Sequence, residues 1–224
     1  MKMTEKTEVS ILFLGLSDAE KEECQALFRT KDLTKGELIA SEGDLCQGLF
    51  IIEKGDAAAQ KYTHSGEFST LRILEAGDIF GEDQIQKEDG RYTSTLEAIS
   101  DVSLSYISQS SLNNLVARFP SIREGLWKLL LQRLKLSDER VILLSQKSVR
   151  SKISYYLLRL SEKQQQTSVT LPGSREVVAK YLSIPRPSFS RELSAMEKDG
   201  IVKYSGRTVT ILDDLSLRKE IGEI

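Results

Sequence analysis

Residues 183–193 read Ser-Ile-Pro-Arg-Pro-Ser-Phe-Ser-Arg-Glu-Leu (SIPRPSFSREL), an arginine set between two prolines where an amphipathic run begins. Proline suits only the first turn of a helix, where backbone N–H groups have no intrahelical acceptor and the ring's fixed φ is already helical. The pair therefore marks a helix start. Beyond it, Phe189, Leu193 and Met196 fall at i, i+4 and i+7, one apolar stripe on a helix of 3.6 residues per turn. At about 100° per residue, Arg191 lies roughly opposite that stripe, beside Pro187 and Ser194, while Arg186 projects from the first turn. This helix turns its back to a core and its arginines outward.

Upstream, Ser174 is placed to cap a preceding helix, and Glu176 complements the positive end of that helix's dipole. Only Leu182-Ser183-Ile184 remains for the turn, so the two helices read as a helix-turn-helix. Residues 201–212 (IVKYSGRTVTIL) read as a hairpin turning at Ser205-Gly206-Arg207, which would follow it as a wing. Before the pair come a helix around Val149–Lys163 and a polar turn over residues 164–173 (QQQTSVTLPG).

Further upstream, Phe119-Pro120 carries the same first-turn proline signal, and a long helix is expected to about Ser145. Within it Trp127, Leu130, Leu134, Ser137, Val141 and Leu144 recur at alternating three- and four-residue spacing, as in a coiled-coil seam. Leu126, Leu129, Leu131, Leu136 and Leu143 add apolar surface outside that seam. One face can cover the chain's own domain while the other meets a second subunit in a parallel homodimer; a helix packed on its own domain alone is the simpler alternative.

The segment from about Leu33 to Ile107 has a different texture. Glycines at 36, 43, 48, 55, 66, 77, 81 and 90 separate short β-prone runs such as LFII, STLRIL and VSLSYI. Val102, Leu104 and Tyr106 alternate with Ser103 and Ser105, the period of a half-buried strand. Many short strands with glycine-marked turns indicate an antiparallel roll, sandwich or barrel.

The 224 residues suffice for two modest domains, and the net charge of −2 hides an asymmetry. From Gln146 onward 14 Lys and Arg face 9 Asp and Glu, a net of +5, and the remainder carries −7. The basic excess lies on the module shaped for DNA. No apolar run approaches the roughly 20 residues of a membrane span, and the acidic start does not read as a signal peptide, so a cytoplasmic protein is expected. Cys24 and Cys46, in no CxxC arrangement, are expected to be reduced thiols. A single histidine, His64, is too few for a cupin-type metal centre or a haem site, and neither a metal nor catalysis is expected.

The order of glycine-punctuated roll, long helix and winged helix-turn-helix resembles the Crp/Fnr superfamily of bacterial transcription regulators. The likeness is carried by LFIIEKGDAAA (49–59), LEAGDIFGE (74–82) and SREVVAKYLSIPRPSFSRELSAMEKDGIV (174–202). It implies an α+β chain with an N-terminal, cyclic-nucleotide-binding-like antiparallel β-roll for effector sensing (1–118), a central dimerisation helix (119–146) and a C-terminal winged helix-turn-helix (147–224). It also implies a homodimer on palindromic double-stranded promoter DNA, with RNA polymerase as a further partner and no membrane association.

By that resemblance Ser174 and Arg175 match phosphate-contacting residues, and Arg186, Ser188, Ser190 and Arg191 match the base-reading surface. Arg207 and Lys203 on the wing are open between phosphate contact and plain surface. Pro187 stands where many members have a base-reading glutamate, so a TGTGA-like half-site is not implied. In the roll, Gly81-Glu82 matches the pair that holds the ribose hydroxyl of a cyclic nucleotide, but ten residues after Glu82 stands Tyr92, followed by Thr93, where nucleotide binders carry arginine and Ser/Thr. Arg91 is one place early and, on a strand, faces the other way. The neighbouring Asp83, Glu88 and Asp89 add negative charge. An effector other than cyclic AMP, or none, is expected; the alternative is a cyclic-nucleotide response through Glu82 and Arg91. Ser137 matches a ligand-touching position, and it equally suits a polar seam residue that specifies register.

Overall fold

The computed structural model describes residues 11–64, 66–82 and 90–223. The chain forms two compact units, one of residues up to Glu67 and Leu71–Lys135, the other of Phe68–Thr70 and the residues from Leu136 onward, each with its own apolar packing.

In the first unit a short helix, α1 (Asp18–Gln25), is opened by a capping box between Ser17 and Glu20. Eight strands follow: β1 (Arg29–Leu33), β2 (Leu38–Ala40), β3 (Gly48–Lys54), β4 (Ala57–Tyr62), β5 (Phe68–Leu74), β6 (Ile79–Phe80), β7 (Thr95–Ala98) and β8 (Val102–Ser108). They form two four-stranded sheets ordered β1-β8-β3-β6 and β2-β7-β4-β5. Helix α2 (Gln109–Arg118), capped by Ser108, leads into α3 (Pro120–Ser145).

The roll has two apolar layers. Ile52, Val102 and Leu104 meet Ala57, Leu74 and Leu96 of the facing sheet. The alternation expected of β8 holds on that side, yet Ser105 and Ile107 are buried as well. Their face is covered by Leu112, Leu115, Ile122, Leu126 and Leu129 of α2 and the first half of α3. Covering both faces of a sheet removes the polar side that a half-buried strand would show. The turn after β6 demands glycine: Gly81 has φ +98°, and a Cβ there would lie 2.5 Å from the Gly48 carbonyl oxygen.

The second unit comprises Phe68–Thr70 at the start of β5, the rest of α3, α4 (Val149–Gln164), β9 (Ser168–Thr170), α5 (Arg175–Tyr181), α6 (Arg186–Lys198), β10 (Val202–Ser205), β11 (Thr208–Ile211) and α7 (Asp214–Glu220). Phe189, Leu193 and Met196 of α6 are buried with Leu143, Ile153, Leu157, Val178 and Leu182. Burying each large apolar side chain contributes about 1.5–3 kcal/mol relative to exposure.

The polar stretch at 164–173 is more than a turn. Its residues 168–170 form β9, which completes an antiparallel sheet β10-β11-β9 with Val169 opposite Val209. A three-residue strand has too little period to announce itself. Helices α1, α2 and α7 are likewise additions to the sequence reading, being short and set by their caps Ser17, Ser108 and Asp213.

Candidate functional site

Ser174 caps α5, its Oγ accepting from the Val177 N–H at 3.3 Å. At the other end, Ser183 takes the left-handed conformation (φ +53°). Its N–H donates to the Lys180 carbonyl at 3.2 Å and that of Ile184 to the Ala179 carbonyl at 3.0 Å. This is the Schellman arrangement, with serine where glycine is usual. It turns the chain within residues 182–184 into α6, whose N-cap is Pro185 and whose first turn holds Pro187.

On α6 the stripe of Phe189, Leu193 and Met196 is buried, Arg186, Pro187 and Arg191 are exposed, and Ser188 and Ser190 are half-buried. Arg191 reaches its own helix, donating from Nη2 to Ser188 Oγ at 3.4 Å. Glu192 is turned away from that surface: it pairs with Arg150 of α4 at 2.5 Å, and Arg150 also pairs with Asp199 at 2.8 Å. The hydrogen bond to Glu192, with help from Asp199, raises the Arg150 pKa and holds the guanidinium charged. A carboxylate next to a candidate reading surface is thus neutralised from behind.

The wing turns in the two residues Gly206-Arg207, with Gly206 at φ +58°. Arg175 spans from α5 to this turn, donating to the Gly206 carbonyl at 3.3 Å with its guanidinium 4.7 Å from the centre of the Tyr204 ring. Arg207 donates from Nε to the Leu171 carbonyl at 2.8 Å. Both arginines therefore brace the wing while remaining at least partly exposed, and Lys203 is exposed.

In the roll, Gly81 and Glu82 follow β6. The Glu82 side chain is 4% exposed and ion-paired with Arg133 Nε of α3. Arg133 also donates from Nη2 to the Ile79 carbonyl at 2.7 Å, and Arg72 of β5 approaches Glu82 at 3.6 Å. Neither arginine stands out in the sequence, because neither belongs to the Gly-Glu segment that it serves.

Tyr92 is buried and stacked on Phe80, centroids 5.6 Å apart, with Phe50 at 6.4 Å. Burial drives its phenol pKa well up, so the hydroxyl stays neutral. Arg91 points outward and donates to the Gly43 carbonyl at 2.7 Å. Thr93 is exposed, its carbonyl accepting from Lys61 Nζ at 3.1 Å. Asp83, Glu88 and Asp89 lie outside the described residues. The structure thus brings Gly81, Glu82 and Tyr92 to the roll interior, while Arg91 and Thr93 face away.

Along α3 the apolar seam is bare on the single chain: Trp127, Leu134 and Val141 are 65%, 63% and 66% exposed, and Leu130, Ser137 and Leu144 are also exposed. Leu126, Leu129 and Leu143 point into the two cores; Leu131 and Leu136 stay outside and widen the seam. Among the described residues, no group of His, Cys, Asp and Glu is placed to hold a metal, Cys24 and Cys46 are buried and in no disulfide, and no helix is long and apolar enough to cross a membrane.

Residues 30–119 match the cyclic nucleotide-binding domain family and residues 151–220 the Crp-like helix-turn-helix domain family. A cyclic AMP receptor protein from Thermus thermophilus is 28% identical over 213 residues, 95% of this chain and 97% of that protein. The fumarate and nitrate reduction regulatory protein of Escherichia coli is 24% identical over 199 residues, 87% of this chain and 79% of that one. Among solved structures, the catabolite activator protein of Thermus thermophilus is 26% identical with TM-score 0.54, over 96% of this chain and 99% of that chain. FixK2 from Bradyrhizobium japonicum matches in fold with TM-score 0.76 at 22% identity, over 86% of this chain and 96% of that chain. With a nucleotide-binding-type roll and a Crp-like helix-turn-helix joined in this order by one long helix, the chain belongs to the Crp/Fnr family of DNA-binding transcription regulators.

Proposed function

We propose that the chain works in the cytoplasm as a homodimer that binds a palindromic promoter site, under control of an effector other than cyclic AMP or of none. The observation that carries the DNA reading is the polarity of α6: three large apolar side chains buried on one stripe, Arg186 and Arg191 free to enter a major groove on the other. An arginine can bind O6 and N7 of guanine through two parallel hydrogen bonds. Ser188 and Ser190 flank them; Ser174, Arg175 and Arg207 serve the phosphates, and their bracing fixes the wing relative to α5. The bare seam of α3 supports the dimer, since a partner helix would cover Trp127, Leu130, Leu134, Val141 and Leu144. Two-fold symmetry then calls for half-sites about one helical turn, ~34 Å, apart. RNA polymerase is the further partner, and catalysis has no part in this reading.

The effector reading rests on the roll interior. One relative is named for cyclic AMP reception, but here the place of the phosphate-binding arginine is filled by the neutral, stacked Tyr92, and Glu82 is already engaged by Arg133. An anionic phosphate loses its charge-assisted partner. Gel shifts on sites selected from random DNA, with and without cyclic AMP, test both halves. A two-fold symmetric site bound equally in either condition is expected. Absence of sequence preference would overturn the DNA reading, and micromolar cyclic AMP binding by calorimetry would restore the alternative through Glu82 and Arg91.

A further inference from the structure

Arg140 lies near the end of α3, one residue before the seam residue Val141 and three before Leu143, which is 3% exposed in the core of the second unit. Residues three apart share a helix face. Arg140 therefore points with Leu143 toward the helix-turn-helix, while its neighbour Val141 belongs to the seam.

Its guanidinium grips Tyr181 in two ways and also donates from Nη2 to the Thr70 carbonyl at 3.2 Å. Nη1 donates to the Tyr181 carbonyl oxygen, and the guanidinium carbon lies 4.0 Å from the centre of the Tyr181 ring. Tyr181 is the last residue of α5, where carbonyls lack intrahelical donors and the negative end of the dipole attracts a cation. Lys152 of α4 supports the same terminus, donating to the Leu182 carbonyl at 3.4 Å. The far side of the site is closed by Tyr156, whose ring is 5.7 Å from that of Tyr181. Burial lowers the Arg140 pKa below the ordinary guanidinium value, and the Tyr181 contacts counter that only in part.

Residues 182–185 separate Tyr181 from α6, and the N–H groups of Leu182, Ser183 and Ile184 all donate back into α5. Whatever fixes the end of α5 consequently fixes the start of α6. We propose that Arg140 is a positioning residue, which ties the reading helix to the dimer helix and so sets the separation of the two reading helices in the dimer. It rests on the proposed DNA-binding dimer, in which that separation decides which half-site spacing is accepted.

The test uses the full-length protein, a selected symmetric site, and versions of it with one or two base pairs inserted or deleted at the centre. Wild-type protein should prefer one spacing. Arg140→Gln should lose about tenfold in affinity at that spacing, as one coupling contact can supply, and change less than about twofold at the others, so that the preference flattens. Its dimer dissociation and melting temperature should stay close to wild type. If Arg140→Gln does not fold, Arg140→Lys keeps the cation, loses the flat stack, and should flatten the preference by a smaller amount. Equal losses at every spacing, or unaltered preference in both variants, would overturn the proposal. A wild type that binds without any sequence preference would overturn the DNA reading beneath it instead, a result visible before any variant is made.

Discussion

Arg191 and Arg207 are both arginines on the DNA-facing module, but their surroundings predict different behaviour. Arg191 is exposed opposite a buried stripe, so Arg191→Ala should cost roughly 1–3 kcal/mol on the specific site and relax preference at one base pair per half-site. Competition assays against single-base variants measure this, and an equal loss on random DNA would assign Arg191 to phosphate. Arg207 is tied through Nε to the wing strand's neighbour Leu171, so its loss should weaken all sequences alike and reduce the salt slope. Glu82 makes a third case. Its side chain is 4% exposed and that of Arg133 17%, and removing one partner of a buried pair leaves an uncompensated charge. Glu82→Gln should lower the unfolding free energy by about 3 kcal/mol in urea titrations. A change below ~0.5 kcal/mol, the size expected of a surface substitution, would show that the pair contributes little.

Helix α3 is an element with two allegiances, since Leu126, Leu129 and Leu143 fill the cores and Trp127, Leu134 and Val141 stay bare. Leu134→Glu would set a carboxylate from each subunit side by side in the seam, where desolvation and like charge act together. The dimer should dissociate in sedimentation experiments; an intact dimer would remove α3 from the interface. The α5–α6 turn makes a smaller prediction. Ser183 holds a left-handed conformation that costs an L-residue about 1 kcal/mol, so Ser183→Gly should raise stability by several tenths of a kcal/mol, after the added chain entropy of glycine. A lowered melting temperature would mean that the serine side chain contributes more than the strain removes.

For the whole molecule, the test lies in whether the roll answers to a nucleotide. Cyclic AMP at about 1 mM should neither raise the melting temperature nor change DNA affinity, because a ligand stabilises only by mass action on the state that it binds. Differential scanning calorimetry decides the first and gel shifts the second. An effector of other chemistry would have to bind two dimer geometries unequally to act at all.

The sequence by itself determined the features with short-range causes. Proline stereochemistry and a 3.6-residue period place α6 and its buried stripe, the first-turn proline and the seam spacing place α3, and the side-chain cap of Ser174 opens α5. Glycine spacing likewise announces a roll, although α1, α2 and α7, governed by single caps, and β9, governed by its pairing with β11, do not show in the pattern. In the candidate site, Tyr92 at the tenth place after Glu82 was legible as a departure; Arg91 is exposed and Tyr92 buried, but the two precede β7 and lie in no strand, Arg91 making a single bridge to Leu45. Only the tertiary structure decided what those residues meet. Arg133 comes to Glu82 across 51 positions and Arg140 to Tyr181 across 41, and no local periodicity encodes either meeting, since each depends on how a helix packs against elements far along the chain.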